Sequence, residues 1–337
     1  MHYIGMDVHK RVTMMCVLDE NGKVIRELSV KGSLGLLVAR LKGLREELGE
    51  TVKICYEAST GCGWLHDELV ALGFRVQVGH PGKLRMIFRS KRKNDRVDAR
   101  KLAKLLYLDE VPLAYVPSVD IRRWRSLIEY RRGLVVRRAA AKHRLRAILH
   151  GQGVEAPRGL WTIRGRAWLA EVALAEEPAL QRELLLAELE QLEGQVRRLD
   201  RALMRKARQV PGVGLLRTIP GVGIHTASAV LAYIAQPDRF RRNKSVGCYF
   251  GLVPCEDTSV KTRFGHITKE GPSTVRWLLT EATWQSIRRD AGMRAYYEKV
   301  CRGNPERKKI ALIATAHHLL RAMHAMLLTG EVWRVAG

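Results

Sequence analysis

Residues 3–31, YIGMDVHKRVTMMCVLDENGKVIRELSVK, decide the fold class of the first part of the chain. Three runs rich in β-branched and apolar residues, YIGMDVHK, VTMMCVLD and VIRELSV, are broken by turn chemistry, the last break falling at Glu20-Asn21-Gly22-Lys23. This pattern predicts three consecutive antiparallel strands. Further on come a helix from about Ser33 to Leu48, an apolar strand VKICYE, a helix near WLHDELVALG and another strand, FRVQVGH. Strands alternating with helices in this way predict an α/β domain with a mixed sheet.

Four carboxylates stand at informative points of this pattern. Asp7 lies in or just after the first strand and Glu57 ends VKICYE, so both can point into one cleft at a sheet end. Asp95 and Asp98 lie in KNDRVDARKLAKLLYL, which reads as a helix capped by Asn94, and their spacing puts both on one helix face. Clustered carboxylates repel unless cations offset them, and all-oxygen ligands suit Mg²⁺ or Mn²⁺. Two such ions about 4 Å apart are the usual device for phosphodiester cleavage. The preceding basic run KLRMIFRSKRK, with Lys91, Arg92 and Lys93, would hold a nucleic-acid backbone beside them. A lone Asp near a strand end is ordinarily a turn or cap residue. The combined order, Asp on the first strand, Glu after a later one and paired Asp at a helix start, is that of RNase H and RuvC-type nucleases.

The bulk composition agrees. Lys and Arg number 59 against 34 Asp and Glu, a formal net charge of +25, which predicts a polyanionic partner, nucleic acid first among them. A membrane surface would need an apolar anchor, and no apolar run near the ~18 residues required is apparent. The start MHYIGMDVHK lacks the features of a signal peptide, so a cytoplasmic location in a prokaryotic cell is expected. Cys16, Cys55, Cys62, Cys248, Cys255 and Cys301 form no C-x-x-C pair, which suggests neither a zinc site nor a disulfide framework. With 337 residues, two or three units are expected.

From Pro117 to Gly151 the pattern is helical, with Trp124, Leu127, Ile128, Leu134, Val135, Leu145, Ile148 and Leu149 as an apolar stripe. Arg131, Arg138 and Lys142 are expected on another face, either simply solvated or laid along phosphates. Leu185, Leu189, Leu192, Val196, Leu199 and Leu203 then step by four and three, a short heptad seam that serves either a helical bundle or a subunit contact, the latter slightly favoured. The turn Ile219-Pro220-Gly221-Val222-Gly223 before HTASAVLAYIA resembles a helix-hairpin-helix, in which Gly221 and Gly223 would bring backbone N–H groups to a phosphate. WLLTEATWQSI and KKIALIATAHHLLRAMHAMLL are apolar enough to form a core.

Taken in order, IGMDVHK, CYEAST, KNDRVDARKLA, IPGVGIHTA and GLVPCEDTSVKTRFGHITKEGPSTVRWLLTEA resemble the DEDD transposases of insertion sequence family 110, relatives of the Piv/MooV DNA invertases. The resemblance covers most of the chain. It implies an RNase H-like (RuvC-like) α/β domain over 1–115, a basic helix and coiled-coil region over 116–209, and a mainly helical C-terminal transposase domain with a helix-hairpin-helix over 210–337. It further implies that Asp7, Glu57, Asp95 and Asp98 hold metal, and that the serine after the G-L-V-P string, here Ser259, attacks the phosphodiester. Many relatives carry glycine straight after that serine, where this chain has Val260. Ser245 is the rival nucleophile and Thr258 a weaker one. Lys261, Arg263, Lys269 and Arg276 nearby would hold phosphates or form a solvated basic face. Members of the family look like recombinases guided by a structured noncoding "bridge" RNA encoded by the element, so DNA of element ends and target, a guide RNA and a homodimer or homotetramer are the implied partners.

Two other functions remain open on the sequence. A junction-resolving nuclease of the RuvC type would use the same acids with water as nucleophile and leave Ser259 idle. A non-enzymatic nucleic-acid-binding protein would rely on the basic helix and hairpin alone.

Overall fold

A computed structural model describes residues 1–49, 51–88, 94–257 and 263–334. They divide into two compact units, Met1–Val119 and Asp120–Gly337.

The first unit begins as an antiparallel meander of β1 (His2–Val8), β2 (Val12–Leu18) and β3 (Val24–Lys31). Its second turn is tied by Asp19, whose carboxylate accepts from the Asn21 and Lys23 amides at 2.9 Å each, with Gly22 left-handed at φ 75°. Ser33 caps α1 (Leu34–Leu48), and the chain continues through β4 (Val52–Glu57), α2 (Cys62–Ala71), β5 (Arg75–Gly79), α3 (Pro81–Ile87) and α4 (Asp95–Tyr107). The sheet order is β3-β2-β1-β4-β5, with β1, β4 and β5 parallel, so the expected mixed sheet is present.

Strand alternation assigns the two faces. Ile4 and Met6 of β1 and Ile54 and Tyr56 of β4 are fully buried among Leu37, Leu41 and Leu44 of α1 and Leu65 and Leu69 of α2. Tyr3, Gly5 and Asp7, with Cys55 and Glu57, belong to the opposite register, where Leu102, Ala103 and Leu106 of α4 pack. Gly5 makes that packing close, because a methyl group there would overlap the Ala103 nitrogen and the Ala99 carbonyl. The helix therefore lies directly on β1, with its first turn at the strand's carboxyl end.

The second unit starts with α5 (Val119–Gly151), α6 (Ile163–Glu171) and α7 (Glu176–Arg208). Contrary to the favoured expectation, the Leu185 to Leu203 seam is spent inside the chain. Leu192 and Val196 are buried against Leu134 of α5, and Leu189 against Leu145 and Leu149, which leaves these side chains no apolar surface for another subunit. The two helices run antiparallel, as the pairs Arg131–Asp200 and Lys142–Glu193 show. The seam was legible; its partner was not, because the facing stripe on α5 is interrupted by cations.

Then follow α8 (Pro211–Leu216), α9 (Ile224–Ile234), α10 (Ser245–Tyr249), the antiparallel hairpin β6 (Pro254–Asp257) and β7 (Arg263–Ile267), α11 (Ser273–Arg289), α12 (Ala291–Cys301) and α13 (Lys308–Thr329). Their core gathers Ala227 and Val230 of α9, Leu279 of α11 and Leu319, Leu320 and Met323 of α13. One correction concerns membranes. The stretch Pro305–Thr329 is long and apolar enough to cross one by length and composition, although the sequence reading found no such run; half of its most apolar window is buried in this core, as befits a core helix.

Candidate metal centre

The register Gly5↔Cys55 and Met6↔Tyr56 between parallel β1 and β4, carried one residue further, sets Asp7 beside Glu57 at the carboxyl ends of adjacent strands. Asn94 caps α4 by accepting the Arg96 amide at 3.1 Å, which places Asp95 and Asp98 in the first turn, where the helix dipole favours carboxylates. Asp7, Glu57 and Asp98 line one cleft of about 500 Å³ together with His9, Ser59, Arg85 and Phe88. Lys101 reaches Asp98 at 3.5 Å and lies over the Phe88 ring. Outside the cleft, Arg100 pairs with Glu27 at 2.7 Å and ties α4 to β3.

Asp95 takes a different position from the other three acids. It flanks a shallow concavity with His9, Lys10, Arg11 and Val12, and meets Asp7 by way of His9. The His9 Nε2 stands 3.2 Å from Asp7 Oδ2 and 3.6 Å from Asp95 Oδ2. Ligand atoms of Asp7, His9 and Asp95 all lie within 4.8 Å of one another. His9 was missed in the sequence, although it follows Asp7 by two residues and so belongs to the same strand-end face; an imidazole beside an acid was the available signal.

The electrostatics suit a cation. Burial pushes the Asp7 carboxyl above the usual carboxylate range and the charges of Asp95 and Asp98 push it further, while His9 opposes them. A divalent ion would relieve both causes at once, and the carboxylate oxygens are a fitting donor set for Mg²⁺ or Mn²⁺. When bound, such an ion polarises phosphate oxygens and stabilises the leaving oxygen of a phosphodiester.

The other residues singled out in the sequence fare unequally. Lys91, Arg92, Lys93, Thr258, Ser259, Val260 and Lys261 lie outside the described residues, as does the side chain of Arg263. The segment holding Ser259 joins β6 to β7. Ser245 begins α10 and is half-buried. Lys269 is exposed, with a left-handed backbone at φ 55°. Arg276 is turned to the backbone, donating to the carbonyls of Phe250 and Gly271 at 3.2 Å and to that of Glu270.

Arg131, Arg138 and Lys142 do not occupy a separate face of α5. They step by seven and four, in phase with Trp124, Ile128, Leu145 and Leu149, and are half-buried. Arg131 pairs with Asp200, and Lys142 stands 3.9 Å from Glu193 and over the Trp161 ring. The exposed cations of α5 include Arg123, Arg137, Arg144 and Arg146. At the α8–α9 turn Gly221 is left-handed at φ 92°, and a side chain there would collide with the α11 backbone at Gln285 and Ser286; the Ser286 hydroxyl donates to the Pro220 carbonyl at 2.7 Å. Gly223, by contrast, is exposed at the start of α9.

Comparison with known proteins bears on both units. Residues 4–152 match the DEDD family model of IS110 elements, described as Transposase, and residues 213–298 match the model described as Transposase IS116/IS110/IS902 family. The chain is 27% identical over 341 residues to a "Probable family 20 transposase" of Pseudomonas aeruginosa, covering 96% of each. It is 28% identical to the "Transposase for insertion sequence element IS1111A" of Coxiella burnetii, over 82% of this chain and 75% of that one. A Sinorhizobium fredii protein carrying the transposase designation y4qE is 30% identical, over 84% of this chain and 71% of its own.

Proposed function

Because the chain belongs to the IS110 family of DEDD transposases, we propose that it moves its element by cutting and rejoining DNA, with Asp7, Glu57, Asp95 and Asp98 as the metal-holding acids of an RNase H-like (RuvC-like) domain. The observation that carries this reading is the cleft in which Asp7, Glu57 and Asp98 meet. The sheet order β3-β2-β1-β4-β5, with acids at the carboxyl ends of neighbouring β1 and β4, supports it, since substrates of open α/β sheets are bound at that edge. Mg²⁺ or Mn²⁺ is the proposed cofactor.

Ser259 is the proposed nucleophile. Its hydroxyl gives up a proton and its oxygen bonds to phosphorus, while the bridging oxygen of the cut strand leaves and takes up a proton. The ester so formed retains the energy of the broken bond, and reversal onto a second strand completes the exchange. The divisions 1–115, 116–209 and 210–337 are proposed as catalytic domain, linking helices and serine-bearing domain. The net charge of +25 favours simultaneous contact with DNA and a guide RNA. Because strands pass between two sites, at least two subunits act together, as a dimer or tetramer.

A second reading is a metal-dependent nuclease with water as nucleophile, which needs only the acids of the first unit's cleft. A covalent-adduct assay separates them. With flanking element DNA, labelled target and Mg²⁺, denaturation of the wild type is expected to leave DNA attached to protein, and Ser259→Ala to leave none. Cutting without an adduct, unchanged by Ser259→Ala, sinks the serine mechanism.

A further inference from the structure

We propose that His9 is a nitrogen ligand to a divalent ion held together with Asp7 and Asp95, so that Asp7 is shared between this site and the cleft of Glu57 and Asp98. The inference rests on the reading of the acids as metal-holding, and adds a residue outside the four acids. The geometry carries it. Ligand atoms on adjacent vertices of an octahedron with bonds of about 2.1 Å are about 3 Å apart. The His9 Nε2 lies 3.2 Å from Asp7 Oδ2 and 3.6 Å from Asp95 Oδ2, close to that edge length before any ion draws the donors in.

The placement of Asp95 argues the same way. It lines the concavity with His9 and is not among the residues lining the cleft shared by Asp7, Glu57 and Asp98. The acids thus fall into two groups with Asp7 common to both, and the second group contains only two carboxylates. His9 completes it as a third donor, on the same strand-end face as Asp7, with its side chain about two-fifths exposed and open to an incoming ion.

An imidazole donor changes metal preference. Nitrogen ligands favour the later divalent metals over Mg²⁺, and Mn²⁺ accepts both nitrogen and oxygen. The site should therefore bind Mn²⁺ more tightly than Mg²⁺, with His9 responsible for the difference.

The test uses the full-length chain and Mn²⁺ alone. Pulsed electron paramagnetic resonance of the Mn²⁺-loaded wild type is expected to show modulation from a directly bonded ¹⁴N. His9→Asn is expected to lose that modulation and to weaken one class of Mn²⁺ site about tenfold or more, the size of effect common for altered metal shells. His9→Asp, which restores an oxygen donor, should recover affinity without the ¹⁴N signal and narrow the Mn²⁺ preference over Mg²⁺. Circular dichroism and melting of each variant establish that it is folded. Mn²⁺ bound in an Asp7-dependent way, with no ¹⁴N modulation and no response to His9→Asn, overturns the role of His9 and leaves the acids as the metal site. A folded wild type that binds no Mn²⁺ overturns both.

Discussion

Gly5 of β1 and Ala103 of α4 meet backbone to backbone, with no room for a side chain between them. This approach, more than any contact among the acids, sets the distance from the first turn of α4 to the end of β1. The acids repel one another, so the geometry of the centre has to be imposed by packing elsewhere.

Gly5→Ala is accordingly expected to destabilise the chain by about 1–3 kcal/mol, the usual cost of overpacking, and to lower divalent-ion affinity in the same variant. Gly43→Ala, on α1 with nothing within 4 Å of the added methyl, should be neutral or stabilising by up to about 1 kcal/mol. Denaturant unfolding and calorimetric Mn²⁺ titration of the pair test the argument; equal behaviour would refute it.

Divalent ions are expected to stabilise the fold by linkage. At a hundred times its dissociation constant an ion bound only to the folded chain contributes about 2.7 kcal/mol. Mn²⁺ should raise the melting temperature, excess chelator should reverse the rise, and Asp7→Asn should abolish the response. Asp7→Asn melting unchanged in the absence of metal, or higher, is the companion expectation, since one of several like charges is gone.

The α5–α7 pair predicts a separation of stability from assembly. Leu192 is 1% exposed and packs on Leu134, so Leu192→Ala should cost about 2–5 kcal/mol. The mass of the native assembly in light scattering should not change. Dissociation without destabilisation would return the seam to a subunit contact.

Glu193 supplies a pH dependence. Hydrogen bonds from Arg166 at 2.6 and 2.9 Å hold its carboxyl below the ordinary glutamate value, against the opposing effect of burial. A lowered folded-state value gives stability that is present above the unfolded-state value and is lost as pH falls through the folded one. Glu193→Gln should thus lower the melting temperature by about 2–4 °C at neutral pH, for a loss near 1 kcal/mol, with the gap closing on acidification below the usual glutamate range. A gap that persists there would contradict the ion-pair account.

Cations on α5 should divide by exposure. Arg144 is exposed, so if this helix lies on nucleic acid, Arg144→Ala should weaken binding uniformly across sequences and reduce the slope of log affinity against log salt by about one. Arg131→Ala should instead show its loss in unfolding, because Asp200 would lose its guanidinium partner and keep only the His225 ring at 3.3 Å.

Much of the first unit was legible because strand alternation and turn chemistry act locally. The runs ending at Lys31 pair as read, VKICYE is β4 to the residue, and Asn94 caps α4. What escaped notice depends on tertiary approach. Nothing in the string IGMDVHK says that Gly5 admits a helix or that His9 turns towards Asp95. In the second unit the stepping of Arg131, Arg138 and Lys142 by seven and four, in phase with the apolar stripe, is visible in the sequence, yet their charge argues for a separate face, solvated or laid along phosphates. Acidic α7 residues are what make those positions habitable. Gly221 was read as a phosphate contact from its turn, while its left-handed backbone also serves close packing on α11.

The half-buried Arg131–Asp200 pair acts as a vernier between α5 and α7. An all-apolar antiparallel seam tolerates sliding by a turn, since one leucine packs much like the next. Here a slip of one turn, about 5.4 Å, would set Asp200 opposite Leu127 or Val135 and take it away from Arg131. That pair therefore favours one alignment of the two 33-residue rods over its neighbours, which the leucines alone would not distinguish.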